Sequence, residues 1–69
     1  MKTEIRKNLN GIIDSIIEES VDSKVKVGRN DLAVKLTIKP FIRKHKLEGL
    51  QVDDVYFELE KACRQAKVW

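Results

Sequence analysis

Lys24 to Lys46 reads KVKVGRNDLAVKLTIKPFIRKHK, and the spacing of its apolar residues decides between a sheet-containing domain and an all-helical one. Val25 and Val27 alternate with Lys24 and Lys26. Leu32, Val34, Leu36 and Ile38 then alternate with Ala33, Lys35, Thr37 and Lys39, a period of two that predicts two strands. Val, Ile and Thr favour the pleated form, and Gly28-Arg29-Asn30-Asp31 supplies turn chemistry between the runs. With Arg29 and Asn30 as the loop, Val27 faces Leu32, Val25 faces Val34 and Lys24 faces Lys35. The apolar side of the ribbon turns to a core, and the other side carries Lys24, Lys26, Lys35 and Lys39. Like charges opposite one another on a ladder repel, so such a ribbon calls for an anion. The competing reading is a Pro-kinked helix from Leu32 to Lys46 in an all-α domain.

On the N-terminal side, Ile5, Leu9, Ile12, Ile13, Ile16 and Ile17 share one helical face, which predicts a helix from Thr3 to Ser20 with Gly11 as an interior cost. On the C-terminal side, Pro40 opens a short helix to Lys46 anchored by Phe41 and Ile42, and Gly49 marks a turn. Asp53 N-caps a last helix to Ala66, whose inner face is Val55, Leu59, Ala62, Cys63 and Ala66. The order is helix, strand, strand, short helix, helix: one small α+β domain over residues 1–69, with helices covering one face of a basic hairpin. A two-stranded ribbon is marginal alone, so the helices support it or two chains join as a homodimer.

The central stretch also concentrates charge. It holds eight of the fourteen Lys and Arg residues and a single acid, Asp31, while acids outnumber bases on both flanks and the whole chain is +3. With 42% hydrophobic and 36% charged residues the chain reads as globular, near the size at which one core is just sufficient. The single cysteine, Cys63, excludes an internal disulfide and suits a reducing compartment. The start of the chain leads into an amphipathic pattern rather than a signal peptide, and no run approaches the roughly 20 apolar residues of a membrane span. The expected setting is the cytoplasm, without membrane contact.

A polyanion is the expected partner. Lys24, Lys26, Lys35 and Lys39 on the ribbon, Arg29 at its tip, and Arg43, Lys44 and Lys46 on the short helix would contact phosphates of DNA or RNA. The bland reading of the same residues is a solvated face that protects strand edges. Phe41 to Leu59 has the spacing of a helix-turn-helix, but Asp53, Asp54, Glu58 and Glu60 on its second helix would oppose phosphates. Tyr56, Phe57 and Trp69 are candidates for a protein-binding surface, the alternative being that Trp69 folds back over Phe57 or an open core edge.

Chemistry-bearing patterns are sparse. His45 stands between two lysines as a surface residue, and Cys63 falls on an apolar helix face as a small hydrophobe. One His and one Cys do not furnish the usual zinc set, and no Gly-rich phosphate loop can be drawn, so no cofactor or metal is expected. The resulting expectation is a small non-enzymatic nucleic-acid-binding or regulatory protein. The alternative is a protein-interaction module, an inhibitor or adaptor docking on an acidic partner surface.

Overall fold

Leu32, Val34, Leu36 and Ile38, whose alternation predicts a strand, lie on a helix. The computed structural model describes residues 2–69, which form α1 (Thr3–Ser23), α2 (Leu32–Lys44) and α3 (Leu50–Gln65), with no strand among the described residues. The expected α+β architecture is therefore corrected to an all-helical one, the form of the competing reading. Among the described residues neither of the two expected strands has a counterpart, so the ribbon expected to be supported by helices or shared between chains is not formed.

The correction has a local cause. An alternating set contains residues four apart, and Val34 and Ile38 continue through Phe41 as the buried line of α2, while Leu32 and Leu36 remain exposed. Asp31 is a helix cap rather than a hairpin residue: its carboxylate accepts the Ala33 N–H at 2.9 Å, and its carbonyl accepts the Lys35 N–H at 3.0 Å. Thr37 is satisfied inside the helix by donating to the Ala33 carbonyl at 2.8 Å. Pro40 sits within α2 instead of opening a separate helix. Its missing N–H frees the carbonyl of Leu36, and because Leu36 is exposed, water can replace the lost partner.

Val27 does take a backbone partner, but a different one. Its N–H donates to the Val68 carbonyl at 2.8 Å, so the α1–α2 loop lies beside the C-terminal tail with both valines buried. The Ser20 hydroxyl donates to the Val25 carbonyl and ties the start of that loop to the last turns of α1. α3 begins three residues before the expected Asp53. Gly49, at φ 56°, makes the entry, and Asp53 lies in the first turn.

Leu9, Ile13 and Ile16 of α1, Val34, Ile38 and Phe41 of α2, and Val55, Leu59 and Cys63 of α3 form the core, closed by Val27, Leu47 and Val68. α1 is the shared wall: it packs closely on both α2 and α3, which approach each other less. The helix-turn-helix spacing of Phe41 to Leu59 thus does not give a compact helix pair. Gly11 has open space where a close neighbour could have stood.

Candidate docking face on helix α2

With Val34, Ile38 and Phe41 turned inward, the 100° step of the helix places Leu32, Leu36, Lys39 and Arg43 on the opposite side, with Lys35 at the boundary. Leu32 is 69% exposed and Leu36 67%. Lys35, Lys39 and Arg43 recur every four residues, a ridge about 12 Å long at 1.5 Å per residue. α2 contains no acid, and among the described residues none of its cations is within ion-pair distance of one. The result is an apolar centre bordered by unpaired positive charge.

The remaining central cations are placed differently. Lys24 and Lys46 each adopt a left-handed backbone, at φ 58° and 54°, just past the ends of α1 and α2. In both, the lysine N–H and the next N–H bond back into the last helical turn: Lys24 to Val21 and Val25 to Ser20, Lys46 to Arg43 and Leu47 to Ile42. These are Schellman closures, and they put a cation at the negative end of each helix dipole. Lys67 closes α3 in the same way at φ 60°. Arg29 lies over the Tyr56 ring, 4.3 Å from its centroid, and 3.9 Å from the Asp53 carboxylate, so its charge is answered within the chain. Lys26 is exposed in the loop, and Lys44 ends α2 beside an open groove of about 600 Å³ against α1, which Lys7 and Thr37 also line. The eight cations expected on one surface are therefore divided among a helix ridge, two helix ends, a loop and an internal contact.

The aromatic candidates separate as well. Tyr56 and Trp69 are half-buried against the core, and only Phe57 presents its ring to solvent, on the outer ridge of α3 with Leu50. His45 is half-buried rather than fully on the surface. Its ring is 4.7 Å from Phe41, and its Nε2 is buried without a hydrogen-bond partner. Cys63 is fully buried, and desolvation pushes its thiol pKa up, the reverse of what activates a nucleophile. Among the described residues no three His, Cys, Asp or Glu side chains group as metal ligands, and no helix is long and apolar enough to cross a membrane.

Sequence reasoning missed the two leucines. It placed Leu32 and Leu36 in the core, yet on the helix they are the apolar centre of the candidate face. The available signal was the registry of Val34 and Ile38 with Phe41, which excludes Leu32 and Leu36 from the inner line. The outer side of α1 has the opposite sign: Asp14, Glu18 and Asp22 recur every four residues there, beside Val21, which is 58% exposed. In comparisons with known proteins, the chain matches no family model, no curated protein and no solved structure.

Proposed function

We propose that the chain is a non-catalytic binding module that docks the outer face of α2 on an acidic surface of a protein partner. The observation that supports this most directly is the pairing of exposed Leu32 and Leu36 with the unpaired cations Lys35, Lys39 and Arg43. Interfaces combine a desolvated apolar centre with a polar rim, and the rim charges steer the encounter. A cytoplasmic setting accords with the single buried thiol, which needs no oxidising compartment.

A nucleic acid is the second reading, supported by the acid-free run of cations on α2 with Lys26 exposed nearby. Amide-shift mapping separates the two readings, using a capped acidic amphipathic peptide with exposed leucines and, in parallel, short DNA and RNA oligomers. Docking on protein predicts shifts at Leu32, Leu36 and Lys39 with the peptide, and a several-fold loss of affinity in Leu36→Ser. Nucleic-acid binding predicts that Leu36→Ser changes little and that Lys39→Glu is damaging. It also predicts a log-affinity slope of about −3 against log salt for three phosphates on a duplex. Failure of the peptide to perturb α2 overturns the first reading.

A further inference from the structure

The α2 face has a matching surface within the same sequence. Asp14, Glu18 and Asp22 occupy the outer side of α1 at the four-residue spacing of Lys35, Lys39 and Arg43 on α2, where Lys39 and Arg43 lie on the outer side and Lys35 at its boundary. Each ridge is flanked by exposed apolar residues, Val21 on the acidic side and Leu32 and Leu36 on the basic one. Among the described residues no member of either ridge is in an ion pair. α1 and α2 pack together through their apolar faces, so both ridges point away from their contact and one chain cannot pair them itself.

We propose that copies of this chain associate head to tail, the basic leucine face of α2 on one copy docking on the acidic valine face of α1 on the next. The proposal rests on the docking reading of α2 and names the partner as a second copy. The two faces are different surfaces, so the contact is heterologous and leaves a free face at each end. Copies then add into a ring or an open chain rather than stopping at a two-fold dimer. Both surfaces are water-exposed, which makes the association weak and sensitive to screening, with a Debye length of about 10 Å at 0.1 M salt.

Sedimentation equilibrium over a concentration series tests this at low and high salt. The weight-average mass is expected to rise with concentration to about twofold or more above the 8.0 kDa monomer at low salt, and to return to the monomer at high salt. Lys39→Glu/Arg43→Glu and Glu18→Lys/Asp22→Lys are each expected to remain monomeric. Mixed together they restore association, because each supplies the face that the other has inverted. All four positions are on the surface, and circular dichroism verifies that each variant is helical. Amide shifts on dilution of the unaltered chain, confined to residues 14–22 of α1 and 32–43 of α2, provide a reading that needs no variant. Three outcomes overturn the proposal: a monomeric unaltered chain at low salt, unimpaired association of either variant, or a mixture that stays monomeric. A monomer whose α2 still binds the acidic peptide refutes self-association alone. Loss of peptide binding as well refutes the docking reading.

Discussion

Each of the three helices is closed by a lysine in the left-handed region, where a β-carbon is crowded and glycine is the usual occupant. The residue following each, Val25, Leu47 or Val68, donates its N–H back into the helix, and Leu47 and Val68 are buried in doing so. Lys46 therefore trades backbone strain against a favourable charge at the negative end of α2. The conformational term is the larger, so Lys46→Gly is expected to stabilise the fold by about 0.5 to 1 kcal/mol, read as a higher urea midpoint with an unchanged slope. Cys63 gives a second expectation. Burial raises its thiol pKa in the folded state, so folding is undisturbed below the unfolded value and loses stability as pH climbs through that value toward the folded one. Alkylation at pH 8 should accordingly be slow in the native protein and should accelerate in step with unfolding across a urea series. A native rate equal to that of a free thiol would contradict the buried placement.

At the scale of the helix, Gly11 lies in the middle of α1 with nothing within 4 Å of the β-carbon an alanine would add. Gly11→Ala is expected to raise stability by about 1 kcal/mol, the difference in helix propensity, measured by denaturant unfolding. The amphipathic faces of α1 and α3 were legible in the sequence because their apolar residues recur at three and four, a spacing that no strand uses. α2 was not legible, since Leu32 to Ile38 satisfies both periods and the residue that separates them, Phe41, lies beyond Pro40. Treating that proline as a boundary cut the helical line before it could be recognised. The charge of the central segment was legible too, but its grouping depended on the strand assignment. Once Lys35, Lys39 and Arg43 are on a helix and Lys24 and Lys46 at helix ends, the candidate surface shrinks and acquires two leucines. Arg29 could not be resolved from sequence, because Asp53 and Tyr56 meet it only through the tertiary fold.

Over the whole molecule, the chain exposes 5094 Å², against about 4,450 Å² expected from surface scaling for its mass, so more surface than usual is left to water. That surplus accompanies a division of charge in which α1 carries Glu18, Glu19 and Asp22 near its negative dipole end and has no base in its last turn. Lys24 at the C-cap offsets only part of this crowding of acids, so the arrangement costs the isolated chain stability, and head-to-tail docking would recover it by bringing further cations to the same place. Asp22→Lys should therefore act in opposite directions on the two quantities. In dilute low-salt solution it should raise the melting temperature by about 2 to 4 °C, from a dipole contribution of about 0.5 kcal/mol in a domain of this size. The melting temperature of the unaltered chain should increase with protein concentration, because association draws on the folded state alone, whereas that of the variant should stay flat. The two curves are expected to cross as concentration rises at low salt and to lose their difference at high salt. A melting temperature for the unaltered chain that is independent of concentration at low salt would leave the acidic end of α1 answered by Lys24 alone and remove the energetic argument for docking.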